Sequence, residues 1–136
     1  MVMIMDSYTE KTIERFKDPK NAGEMKDADA AGEEGNLHCG DMMRIYIKVR
    51  EGKIADAKFQ TYGCIAAISA TDALCDMIKG KTLDEAEKIT GSEVIDSLGG
   101  LPKIKYHCSV MGRGALKRAI TDYRAGKKPE FPAAKA

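Results

Sequence analysis

From Met43 to Arg50 the chain alternates without a break: Met43, Ile45, Ile47 and Val49 take one side, Arg44, Tyr46, Lys48 and Arg50 the other. A period of two is the mark of a strand with one buried face. A second alternating run follows Gly52, with Ala55, Ala57, Phe59 and Thr61 set against Asp56, Lys58, Gln60 and Tyr62. The two runs predict a β-hairpin. Residues directly opposite in an antiparallel pair share a face, so polarity selects the register. A three-residue loop, Glu51 to Lys53, places Val49 opposite Ala55, Ile47 opposite Ala57 and Ile45 opposite Phe59, with Lys48 facing Asp56 outside. Extended further, this ladder sets Asp41 against Gly63 and Gly40 against Cys64. Cys39 and Cys64 then converge at one end of the hairpin.

Beyond Gly63 the period changes to a helical one, with Ile65, Ile68, Leu74 and Ile78 apolar and Gly80 closing the segment. Cys64 starts this helix, where free amide groups and the helix dipole favour a thiolate. A first helix is expected from Ser7 to Lys17, capped by Asp6 or Ser7 and stopped by Pro19. Short helices follow at Leu83 to Ile89, capped by Thr82, and at Ser92 to Leu98. A last helix, Ser109 to Arg124, buries Leu116, Ala119, Ile120 and Tyr123, with Cys108 just ahead of it. Asn21 to Gly35 reads as a loop holding one short strand. The expected class is α+β: a small three-stranded antiparallel sheet with helices packed on one face.

At 136 residues the chain suits one domain, spanning 1–126, with 127–136 as a tail expected to be disordered. With 22 basic against 21 acidic side chains no strong global field exists, and nucleic acid is not expected as a partner. The apolar start, Met1 to Met5, is too short for a signal peptide and lacks a basic leader. No run approaches the ~20 apolar residues of a membrane span, so the expectation is a cytoplasmic protein whose four cysteines are thiols.

Cys39-Gly40-Asp41, Gly63-Cys64 and His107-Cys108 each set a cysteine beside a polar or flexible residue. Thiolates suit iron-sulfur clusters, zinc or copper(I), and an aspartate or histidine can complete such a set less tightly. Free cysteine is also commonly buried as a small apolar side chain, and spacing without a C-x-x-C pair does not decide between the two readings. Cys75, about 16 Å from Cys64 along the same helix, reads as a core thiol.

Several ordered motifs carry a likeness: Tyr8-Thr9-Glu10-Lys11, Asp18-Pro19-Lys20-Asn21-Ala22-Gly23, Cys39-Gly40-Asp41, Phe59 to Cys64, Lys79 to Ala86, and Lys105-Tyr106-His107-Cys108-Ser109. Over nearly its full length the chain resembles the IscU and NifU N-terminal scaffolds for iron-sulfur cluster assembly. The resemblance implies a scaffold that builds a [2Fe-2S] cluster and hands it to apo-proteins, with no turnover of its own. It implies Cys39, Cys64 and Cys108 as ligands, Asp41 as the residue that completes or loosens the site, and His107 as the alternative ligand. It further implies Cys108 as acceptor of persulfide sulfur from a cysteine desulfurase, zinc as an occupant of the cluster-free form, and an oligomer when loaded. The alternatives are a zinc-dependent sulfurtransferase holding zinc through Cys39, Asp41, Cys64 and Cys108, or a structural zinc domain.

The chain departs from the family at a few places. His38 precedes Cys39 where relatives carry a small residue, and as a strand neighbour it should point to the opposite face. Ile65 follows Cys64 and would shield the site from water. Gly112-Arg113-Gly114 near the start of the last helix predicts mobility beside Cys108. Leu101-Pro102-Lys103-Ile104-Lys105 has one proline where the family has two, giving a less rigid extended peptide and weighing against an Hsp70-type chaperone as partner. The long insertion of the SufU branch is lacking before the last cysteine.

Overall fold

The computed structural model describes residues 8–36, 41–61 and 64–129. Strands β1 (Ala30–Asn36), β2 (Asp41–Arg50) and β3 (Lys53–Thr61) form an antiparallel sheet in the order β1-β2-β3. Met43, Ile45 and Ile47 of β2 are fully buried, as the alternation requires. The register holds at Ile45 opposite Phe59, Ile47 opposite Ala57 and Lys48 opposite Asp56, but shifts beyond Lys48. There Val49 pairs with Ile54 and Arg50 with Lys53, so the connection is the two-residue turn Glu51-Gly52, not the three-residue loop. Both turn residues have positive φ, +53° and +77°, the combination whose twist matches a hairpin. The shift leaves Ala55 as the extra residue of a bulge, exposed, while Ile54 takes the core position.

Two faces of the sheet are covered, unequally. Helices α2 (Ile65–Ile78) and α5 (Tyr106–Arg124) pack on the face of Ile45 and Ile47 to make the main core. On the other face Tyr46, expected to be outward and polar, is only 1% exposed under Met25, Ala28 and Ala31. The segment leading into β1 folds back over it: the Phe59 amide donates to the Asn21 carbonyl and the Gly23 amide to the Phe59 carbonyl. Tyr46 Oη hydrogen-bonds Gln60 Oε1 at 2.5 Å, which makes its burial tolerable.

Glycine sets the sheet-to-helix distance. A Cβ at Gly32 of β1 would stand 2.1 Å from the Ala115 carbonyl oxygen and 2.4 Å from the Ala119 nitrogen, both backbone atoms of α5. Gly112 is also closely packed, though less tightly, with its virtual Cβ 3.0 Å from Thr71 Oγ1, and α5 runs through it unbroken. The Gly112-Arg113-Gly114 run is therefore a packing feature of a continuous helix. Leu116, Ala119 and Ile120 are buried as predicted, whereas Tyr123 is 36% exposed.

Helix α1 (Glu10–Lys17) begins later than expected and is capped by Thr9, whose Oγ1 accepts from the Thr12 amide at 3.1 Å. Asp6 and Ser7 lie outside the described residues. The α1 helix is tied to α2 by a buried polar knot. Asp72, 0% exposed, accepts from the Asn21 amide at 2.8 Å and its Nδ2 at 3.1 Å through Oδ1, and from Arg15 Nη1 at 2.7 Å through Oδ2. A buried carboxylate is tolerated only when its lone pairs are committed in this way. Helices α3 (Leu83–Glu87) and α4 (Gly91–Ser97) each open with a capping box, Thr82 with Glu85 and Thr90 with Glu93. Residues 127–129 carry neither helix nor strand, and the rest of the tail lies outside the described residues. Among the described residues no helix is long and apolar enough to cross a membrane.

Candidate functional site: a thiol pair between two helix ends

Cys64 is the N-cap residue of α2, extended at φ −82° and ψ −177°, and no side chain caps the helix there. The free amides of the first turn are left to the sulfur itself. Cys108 is the third residue of α5, wound into its first turn where the sequence placed it just ahead of the helix. The two Sγ atoms stand 3.5 Å apart, though 44 residues separate them in sequence. His107 Nε2 lies 3.6 Å from Cys108 Sγ. Cys108 is only 4% exposed, and Cys64 is half-buried.

Several groups hold charge on Cys64. Its thiol is pulled down to about 5, first by the hydrogen bond shared with Cys108, then by the Ala67 amide, the Lys105 ammonium and the Ala66 amide, while burial opposes them. This sulfur is a thiolate at neutral pH. Tyr8 also belongs to the site. Burial raises its phenol, the negative charges of Cys64 and Cys108 add to the rise, and Lys105 opposes it. Neither Tyr8 nor Lys105 stands out by residue type alone. Their only signal in the sequence is membership of the Tyr-Thr-Glu-Lys and Lys-Tyr-His-Cys runs.

The other predicted site residues divide cleanly. Cys39 and His38 lie outside the described residues, as do Gly40 and Gly63, so the ladder can be followed only as far as Met43 opposite Thr61. Asp41 is the first residue of β2 and pairs through its backbone with Asn36, the last residue of β1. Cys75 is a core thiol, as expected: it is 0% exposed, and burial pushes its thiol well above the usual range. Ile65 is half-buried. Leu101 is buried, and Lys103–Lys105 form a turn of 3-10 helix where an extended peptide was expected, leaving Ile104 79% exposed.

The donor set suits a soft metal. Two thiolates on one tetrahedral metal, each bond about 2.3 Å long, sit about 3.8 Å apart, and 3.5 Å between the Cys64 and Cys108 sulfurs is close to that. They could hold one metal with little movement, and His107 lies beside them.

The comparisons with known proteins agree with this reading of the fold. The family described as "NifU-like N terminal domain" matches residues 7–130. "Iron-sulfur cluster assembly scaffold protein IscU 1" of Archaeoglobus fulgidus is 52% identical over 116 residues, covering 85% of this chain and 76% of that protein. IscU of Escherichia coli K12, named in the same way, is 40% identical over 126 residues, covering 90% of this chain and 98% of its own length. A crystal structure described as a putative iron-sulfur cluster assembly scaffold protein for the SUF system, from Fervidobacterium islandicum, superposes with a TM-score of 0.68 at 25% identity, over 85% of this chain and 97% of that one. On the sequence match and the shared architecture together, the chain belongs to the NifU-like N-terminal domain family.

Proposed function

We propose that this protein is a scaffold on which a [2Fe-2S] cluster is assembled as cargo and from which it is passed to recipient apo-proteins. The observation that carries this reading is the meeting of Cys64 and Cys108 at 3.5 Å, with one sulfur held as a thiolate. The names of its relatives in the family support the same reading. Cys39, Cys64 and Cys108 supply the thiolates, and Asp41 completes the set. A carboxylate is a harder ligand than a thiolate and grips soft iron-sulfur less well, so the fourth position is the one that yields. Cys108 accepts sulfur as a persulfide from a cysteine desulfurase. The protein is an acceptor and carrier and turns over no substrate of its own.

Anaerobic reconstitution with ferrous iron, cysteine and a cysteine desulfurase tests this. A visible chromophore is expected, together with one [2Fe-2S] centre by Mössbauer spectroscopy. Asp41→Ala should hold that centre longer against an apo-ferredoxin acceptor. A colourless product that retains zinc and still takes up sulfur would replace the scaffold with a zinc-dependent sulfurtransferase.

A further inference from the structure

A persulfide carries sulfur at the wrong oxidation level for a cluster: its outer atom must gain electrons to become sulfide. The Cys64 and Cys108 pair has a geometry suited to that step. We propose that Cys64 is the resolving thiol for a persulfide on Cys108, expelling the outer sulfur as sulfide and closing a Cys64–Cys108 disulfide. This rests on the scaffold reading above, in which Cys108 receives the sulfur.

The step balances as thiol–disulfide exchange. The Cys64 thiolate attacks Sγ of Cys108, the Sγ–Sδ bond breaks, and its electron pair leaves with the outer sulfur as HS⁻. The outer sulfur is reduced, and the two cysteine sulfurs carry the oxidation as a disulfide. A dithiol reductant then returns both to thiols, free to bind iron. Its reducing equivalents are the only ones consumed.

Position decides which sulfur is attacked. The 3.5 Å separation is between the two Sγ atoms, at the edge of the about 3–3.5 Å range of a near-attack arrangement. An outer sulfur on Cys108 extends beyond Sγ, and attack at Sγ expels it, whereas attack on the outer atom would only move the sulfur to Cys64. A bond of about 2.05 Å requires the pair to close by about 1.5 Å, less than the reach of one χ1 adjustment. Cys64 already stands in contact with Cys108, so the internal neighbour is favoured over a thiol that must arrive from solution. Cys64 sits at the open amide end of α2, where a charged sulfur is stabilised. Cys75 is fully buried within the core and cannot compete.

The test uses the full chain, anaerobic and with iron and zinc chelated, loaded by cysteine and a desulfurase and in parallel by inorganic polysulfide. Sulfide is assayed without added reductant, and the peptides are read by mass spectrometry. Wild type should release one sulfide for each Cys64–Cys108 disulfide. Cys64→Ser and Cys64→Ala should keep the sulfur on Cys108 and release sulfide at least about tenfold more slowly, and Cys75→Ala, a core substitution outside the site, should behave as wild type. Sulfide release undiminished in both Cys64 variants, a disulfide to Cys39 in its place, or no persulfide on Cys108 from either source would overturn the proposal. Resolution after polysulfide loading, with no uptake from the desulfurase, would uphold the Cys64 step while refuting the sulfur source assigned above.

Discussion

The two ends of α2 treat the same side chain in opposite ways. Cys64, at the N-terminus, has its thiol pulled down to about 5 by Cys108, two amides and Lys105. Cys75, on the same helix, is buried completely, and burial followed by the charge of Asp72 pushes its thiol up. The chemistry of the residue is identical, and the difference lies in the surroundings: a second thiol and unspent helix amides at Cys64, complete burial at Cys75. Asp72 makes the same point from the other side. It is a fully buried charge midway along the helix, and its carboxylate oxygens are engaged by Arg15 and Asn21. A fully committed buried charge holds structure, and one with room for another partner can bind something.

The sharpest way to break this contrast is at Asp72. Asp72→Ala removes the acceptor of the buried Asn21 amide and leaves Arg15 with Asp76 alone, and removing one partner of a buried ion pair costs about 3–5 kcal/mol. Since Arg15 is partly exposed, a loss near about 3 kcal/mol is expected in urea unfolding. An unchanged midpoint would mean that the knot is ornamental. Gly32→Ala should cost about 1–3 kcal/mol by overpacking, because only movement of α5 backbone relieves the contacts. The readout is thermal unfolding, with the distance between the two site sulfurs also disturbed because Cys108 rides on α5.

At the open end of the helix, pH is the probe. The folded Cys64 thiol titrates below its unfolded value, so its contribution to stability is complete above the ordinary thiol range and is lost as pH falls toward about 5. Alkylation of Cys64 by iodoacetamide should therefore persist down to about pH 5, against about 8.5 for a free cysteine. In Cys108→Ala the largest cause is gone, and the profile should move upward. A profile that stayed in place would assign the effect to the helix amides and Lys105. The smallest expected effect is that of Cys75→Ala, a loss of about 1 kcal/mol for a small buried side chain, with cluster assembly intact. Impaired assembly in this variant would refute the division between the two sulfurs.

How far these features could be read in advance depended on the range of the forces involved. The β2–β3 hairpin was legible because alternation is local, yet its turn was not: Glu51 adopts positive φ without being glycine, and the shift that follows trades Ala55 for Ile54. The β1 strand, Ala-Ala-Gly-Glu-Glu-Gly-Asn, has no β-branched or aromatic residue, and its place is decided by pairing with β2 and by the approach of α5 to Gly32. Gly112 misled for the same reason, since intrinsic propensity marks it as a helix weakener while its position is closely packed against Thr71 and Leu74. For the site, Cys64 at the start of a helix followed from the change of period. Nothing local brought Cys108 beside it. Only the family resemblance anticipated that meeting, and Tyr8 and Lys105 became visible only once the chain was folded.

Cys108 is wound into α5 and does not precede it. Three helical residues advance about 4.5 Å along the axis, whereas the same three drawn out span about 10 Å. Fraying of that one turn would carry the Cys108 sulfur away from Cys64 while the sheet and the rest of α5 stay in register. The position of this sulfur thereby depends on the end of a helix, the part of a folded chain that opens fastest and closes again without refolding anything else.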